Sequence, residues 1–170
     1  MDFKLYVRDI EDFPSKGITF KDITPLLKDA GALQQTTKAL LELVGDAKVD
    51  KVVGMESRGF FFASLLASQL NAGFVPVRKQ GKLPGDTIGQ TYALEYGSDT
   101  LEVHKDAILE GERVLVHDDV LATGGTAKAT CELVERLGGV VVQCNFLIEL
   151  DFLRGREKIS NYQVRSLLNY

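Results

Sequence analysis

Val114–Ala127 reads Val-Leu-Val-His-Asp-Asp-Val-Leu-Ala-Thr-Gly-Gly-Thr-Ala, and it restricts the fold more than any other stretch of the chain. A short apolar strand, Arg113–His117, runs into two adjacent carboxylates, Asp118 and Asp119. A Gly124–Gly125 turn flanked by Thr123 and Thr126 follows. A helix then spans Ala127–Leu137, with Ala127, Cys131, Val134 and Leu137 on one face. Gly138–Gly139 closes it. A buried strand that turns sharply into a helix is a building block of α/β domains with a mainly parallel sheet.

The flanking segments fit that class. Lys51–Met55 predicts a buried strand, Gly59–Leu70 a helix ending near Asn71 and Gly73, and Phe74–Arg78 a second strand. Val140–Leu150 predicts another apolar strand. Upstream, Phe3–Ile10 predicts a short helix and Phe13–Gly17 a loop. Ile23–Leu43 predicts helix with a break at Lys28–Gly31. Lys79–Gln90, rich in glycine and cations, predicts a mobile loop. Thr91–Leu94 and Leu101–Val103 predict a hairpin around residues 95–99. The turns after Met55 and His117 lie at the carboxyl ends of strands, where sheets of this class bind ligands.

Bulk properties exclude several classes. The 170 residues suit one domain with a real core. A net charge of −4 gives no general attraction to nucleic acid, so any anion site must be local. Cys131 and Cys144 sit in apolar stretches without metal-ligand spacing and predict reduced core residues in a cytosolic protein. The N-terminus lacks a long apolar run, and Phe60–Ala67 is too short to span a bilayer. A soluble cytoplasmic protein is the expectation.

The opening motif suits a sugar phosphate. Ionised carboxylates only accept hydrogen bonds, which matches the vicinal hydroxyls of a ribose. Thr123 and Thr126 can donate to a phosphate, while Gly124 and Gly125 let backbone N–H groups approach it closely. A helix N-terminus favours the anion further. Alone, Asp-Asp is more often an acidic turn; the whole ensemble outweighs that reading. The stretch lacks the lysine of a Walker A loop and the glycine spacing of a dinucleotide fingerprint.

Taken together, these residues resemble the phosphoribosyl pyrophosphate (PRPP) signature of type I phosphoribosyltransferases. Four further motifs, in order, resemble those of the members that use adenine. They are Phe13-Pro14…Gly17-Ile18-Thr19-Phe20-Lys21-Asp22-Ile23, Glu56-Ser57-Arg58-Gly59-Phe60, Arg78-Lys79-Gln80-Gly81-Lys82-Leu83-Pro84-Gly85 and Leu94-Glu95-Tyr96-Gly97. The resemblance implies one phosphoribosyltransferase domain over residues 1–170, with a small hood near residues 1–30 and a flexible active-site loop at 79–97.

The resemblance also implies roles. Asp118 and Asp119 would hold the ribose, and Ala122, Thr123, Gly124, Gly125 and Thr126 the 5′-phosphate. Glu56, Ser57, Arg58 and Gly59, with a cis peptide between Glu56 and Ser57, would meet the pyrophosphate together with Arg78, Lys79 and Lys82. Ile18, Thr19, Phe20 and Arg58 would bind adenine, where the family carries valines at the positions of Ile18 and Thr19. Glu95 would handle the N9 proton, and Tyr92 would cover the closed site. Mg²⁺ would arrive bound mainly to PRPP, so no dedicated protein metal site is assigned. A homodimer is implied, binding small molecules and neither nucleic acid nor membrane.

Each residue has a blander reading. Ser57 could merely cap a helix, the basic cluster could be solvated, Phe20 could be an ordinary core aromatic, and Glu95 could simply be exposed in a turn. His117 replaces the family's usual apolar residue and receives no catalytic role; His104 reads as a surface residue. The reaction implied is adenine plus PRPP giving AMP and pyrophosphate. A xanthine or 6-oxopurine transferase is the nearest alternative. A PRPP-binding regulator is another, but this acidic chain has no added DNA-binding segment. A phosphatase using the Asp pair leaves the other motifs unexplained.

Overall fold

A computed structural model describes residues 1–93 and 97–170. The central sheet has the strand order β5-β6-β4-β3-β7-β8-β9. Its parallel part comprises β3 (Lys51–Met55), β4 (Gly73–Lys79), β7 (Arg113–Leu121), β8 (Val140–Glu149) and β9 (Val164–Asn169). An antiparallel hairpin, β5 (Thr87–Ala93) with β6 (Ser98–His104), extends the edge beside β4. A separate two-stranded sheet pairs β1 (Arg8–Ile10) with β2 (Phe20–Asp22) and forms the hood.

Alternation along the buried strands feeds two cores, because successive side chains leave opposite faces of a strand. Val53, Val114 and Val116 face α4 (Gly125–Arg136) with its Ala127, Cys131 and Val134. Val52 and Leu115 join Leu40 and Val44 of α2 (Ala30–Val44) and Phe62 and Leu66 of α3 (Gly59–Gln69). The expected break at Lys28–Gly31 is present: α1 (Thr24–Lys28) ends there, and Asp29 Oδ1 caps α2 by accepting the Ala32 N–H at 2.8 Å.

Three expectations on secondary structure need correction, and one strand lies beyond those expected. Phe3–Ile10 is one 3₁₀ turn, Phe3–Tyr6, and then strand β1, because β2 supplies a pairing partner that the local pattern does not reveal. The basic loop is short, residues 80–86, since β4 runs through Lys79 and β5 begins at Thr87. β7 runs on through both aspartates to Leu121, paired with β8, so the acidic pair sits inside the strand rather than beyond its end. Strand β9 follows the expected elements and pairs with β8 from Cys144↔Val164 to Glu149↔Asn169.

The strand order reverses at β3, with β4 on one side and β7 on the other. The carboxyl ends of β3 and β7 therefore open side by side, at the switch point where sheets of this kind bind ligands.

Candidate active site

A cleft of about 520 Å³ lies over these strand ends, lined by Ile18, Thr19, Phe20, Lys21, Glu56, Ser57, Arg58, Asp118, Asp119, Val120, Ala122, Leu150 and Leu153. A smaller recess of about 70 Å³ continues from Asp118 along Ala122–Ala127. Ile18–Phe20, Glu56–Arg58 and Asp118–Thr126, singled out for base, pyrophosphate and ribose phosphate, thus converge from separate parts of the chain, while Arg78, Lys79 and Lys82 do not line either space.

The Asp pair is held by the strand. Asp119 is 3% exposed, and its N–H donates to Asp118 Oδ1 at 2.9 Å. Burial and the neighbouring Asp119 charge push the Asp118 carboxyl well above the usual carboxylate range. Arg58 Nε lies 2.6 Å from Asp119 Oδ2, but its N–H is not aimed at that oxygen, which is buried and accepts no hydrogen bond from the described residues. A buried acceptor without a donor is costly unless a ligand supplies one. The arginine also lies over Phe20, with Cζ 4.5 Å from the ring centroid. Arg58 thereby joins the hood to the acidic pair.

The phosphate recess is built from backbone. Gly124 has φ +78° and, among the described residues, no side chain caps α4, so the first N–H groups of that helix take no side-chain acceptor from those residues and point where an anion could sit. Thr126 is half-buried and Thr123 exposed at its rim. On the opposite wall, the Glu56–Ser57 peptide is cis, as the family resemblance implied. Gly59, which follows, is pressed against β7: a Cβ there would stand 2.7 Å from Asp118 Oδ1.

Two of the three basic residues, Arg78 and Lys79, are already paired within the chain. Arg78 Nε and Nη2 each lie 3.3 Å from the Glu56 carboxylate, which also accepts the Lys79 N–H at 2.8 Å. Burial would raise the Glu56 carboxyl, but these donors outweigh it and hold it below its ordinary value. Lys79 Nζ reaches Asp99 at 3.2 Å, and that hydrogen bond raises its own pKa. Lys82 is exposed, and its carbonyl accepts from Arg78 at 3.2 Å. The hairpin leans on α4: Arg136 Nη1 donates to the Gly89 carbonyl at 2.6 Å, and Tyr92 Cδ2 lies 3.3 Å from where a Cβ on Gly125 would stand. Glu95, the candidate proton acceptor, lies outside the described residues.

Neither His117 nor His104 lines the cleft or the recess. His117 is fully buried and meets Asn145 Oδ1 through Nδ1 at 3.1 Å, while the Asn145 amide donates to the Leu40 carbonyl. Burial lowers its pKa to about 4, although the Asn145 contact opposes this. The unfolded chain therefore binds the extra proton between about pH 6.5 and 4, so stability rises with pH through that window. The swing is about 3 kcal/mol. We expect His117→Gln, which keeps a donor but cannot titrate, to lack this slope in urea unfolding at stepped pH; parallel profiles would refute it. His104, half-buried rather than a free surface residue, meets the Pro84 carbonyl through Nε2 at 2.8 Å.

Lys21, Val120, Leu150 and Leu153 line the cleft without having been singled out in the sequence. Leu150 and Leu153 follow a parallel strand, so the rule that places ligands at strand carboxyl ends would have found them.

Comparison with known proteins agrees with the geometry. The phosphoribosyl transferase domain family matches residues 22–169. The adenine phosphoribosyltransferases of Christiangramia forsetii and Flavobacterium johnsoniae are each 61% identical over 170 residues, covering 100% of this chain and 99% and 100% of theirs. The crystal structure of the Rhodothermus marinus adenine phosphoribosyltransferase superposes with a TM-score of 0.95 at 54% identity, covering 99% of this chain and 96% of that one. The Saccharomyces cerevisiae enzyme, solved with an imino-altritol bisphosphate and adenine, superposes with a TM-score of 0.92 at 46% identity, covering 98% and 96%. With its fold and its full length shared with these proteins, the chain belongs to the phosphoribosyl transferase family, among the adenine phosphoribosyltransferases.

Proposed function

We propose that the cleft over β3 and β7 performs the reaction of this family, adenine plus PRPP to AMP plus pyrophosphate, with the residues in the following roles. The observation that carries the assignment is Asp119 Oδ2, a buried acceptor that takes no hydrogen bond from the described residues, in a cleft it shares with Phe20 and Arg58. Ribose hydroxyls supply the missing donors to Asp119 and Asp118. The N–H groups of Ala122–Thr126 and the Thr123 and Thr126 hydroxyls take the 5′-phosphate. Adenine lies in the Ile18–Phe20 wall against Val120, Leu150 and Leu153, with Arg58 beside it.

The purine N9 bonds to C1′ as the C1′–O bond to pyrophosphate breaks, and positive charge develops on the ribose. The Asp pair lies close to that charge. The Ser57–Gly59 loop receives the departing pyrophosphate, Arg78 and Lys79 do so by exchanging their Glu56 and Asp99 partners for it, and the exposed Lys82 joins them. Glu95 takes the N9 proton. The 80–86 loop, beside the strand that carries Tyr92, closes over the reactants and excludes water. Mg²⁺ would be held mainly by the PRPP oxygens and would neutralise charge on them, with the Asp118 and Asp119 carboxylates on the protein side of the site. A homodimer in the cytoplasm is the setting we propose. Among the described residues no helix is long and apolar enough to cross a membrane.

Phe20→Ala tests the layout. Losing a stacking platform costs about 1–3 kcal/mol, so AMP affinity by calorimetry should fall about tenfold. Ribose 5-phosphate should bind as in the wild type; equal losses for both ligands would contradict the base assignment. Glu95→Gln should lower kcat about a hundredfold with little change in PRPP affinity, and an unchanged kcat would remove the proton role.

A further inference from the structure

The segment after β8 belongs neither to the sugar-phosphate motif nor to the hood, yet it touches both ends of the cleft. Leu150 and Leu153 line the base wall. Two residues on, Gly155 lies backbone to backbone against the phosphate loop. A Cβ on Gly155 would stand 2.1 Å from the Ala122 carbonyl oxygen and 2.9 Å from Gly124 N. Reciprocally, a Cβ on Gly124 would stand 2.3 Å from the Gly155 carbonyl oxygen. Arg154 takes φ +54° just before this contact, a conformation that needs external support.

The support is a clamp. Glu149, the last residue of β8, is 4% exposed. Arg156 Nε and Nη2 donate to its two oxygens at 2.8 and 2.5 Å, and Ser166 Oγ donates at 2.5 Å. Arg156 Nη1 also donates to the Val164 carbonyl at 2.9 Å, tying the segment to β9. These donors hold the Glu149 carboxyl below its ordinary value, Arg156 foremost. Glu149 and Arg156 do not line the cleft, but between them Leu150 and Leu153 do, and Gly155 packs against the Ala122–Gly124 loop.

We propose that Leu150–Arg156 is a positioning segment, fixed by the Glu149–Arg156 clamp, that sets the phosphate loop through Gly155 and the base wall through Leu153. Phosphate and base affinities then rise and fall together. The inference rests on the assignment of Ala122–Thr126 to the 5′-phosphate.

Arg156→Lys keeps the charge but loses the two-pronged geometry. It should raise the Kd for ribose 5-phosphate and the KM for adenine each about fivefold, with kcat within about twofold of wild type. Gly155→Ala should abolish ribose 5-phosphate binding; if it does not fold, Arg156→Lys decides. A lower Tm with both affinities unchanged, or a change in only one, would overturn the proposal. Thr126→Val is the control. If it leaves ribose 5-phosphate binding intact, the phosphate assignment falls and the proposal with it. If it weakens binding and Arg156→Lys does not, the proposal alone falls.

Discussion

Replacing Asp118 and Asp119 together by asparagine is expected to lower kcat/KM for PRPP by about three orders of magnitude while making the protein more stable. The loss follows from the hydrogen bonds given up: bonds to charged groups are worth about 1.5–3 kcal/mol each, and two of them give a factor of about a thousand. The gain in stability follows from Asp118. Its carboxyl is raised by burial and by the Asp119 charge, so the folded state binds more protons than the unfolded state from the usual carboxylate value of 3.8 upward. Stability therefore falls as pH rises through that window and stays lowered at neutral pH. Asp118→Asn should be more stable than wild type at pH 7, and its advantage should shrink as pH drops towards 3.8. Steady-state kinetics and urea unfolding of the same preparations would check both. Wild-type PRPP kinetics in the double variant would undo the ribose assignment.

Gly124→Ala should be nearly as damaging to activity and, unlike the Asp variants, should also destabilise. At φ +78° an alanine costs about 1–2 kcal/mol. Its Cβ would also stand 2.3 Å from the Gly155 carbonyl oxygen, a backbone atom that cannot rotate away. The loop must shift, misplacing N–H groups aimed at the phosphate. A misplacement of ~1 Å costs about a hundredfold, and a lost hydrogen bond adds about tenfold. We expect kcat/KM down about a thousandfold together with a Tm lowered by several degrees. Normal turnover would show that the phosphate does not sit on this turn.

Much of this was legible because the motifs are local. The strand–Asp–Asp–Gly–Gly–Thr unit carries its own geometry, and the strand-then-helix alternation gives the parallel sheet around it. Where pairing partners lie far apart in sequence, local pattern misled. Arg8–Ile10 is a strand only because Phe20–Asp22 runs beside it, and β5 extends to Thr87 only because His104 lies opposite. Asp118 and Asp119 remain in β7 because β8 pairs with that strand to its end, and a turn was the natural reading of two aspartates before glycines. The ion pairs of Arg78 with Glu56 and Lys79 with Asp99 join residues 22 and 20 positions apart and leave no trace in spacing. Nor does the contact between Gly124 and Gly155, since neither glycine has a side chain to mark it.

The measurement that tests the central claim most directly is product formation with PRPP and Mg²⁺ against adenine, hypoxanthine, guanine and xanthine in parallel. The account predicts AMP and pyrophosphate from adenine, with the oxopurines left unreacted. Turnover of an oxopurine in place of adenine would preserve the PRPP site and overturn the base pocket, and PRPP binding without product from any of the four would contradict the catalytic assignment itself.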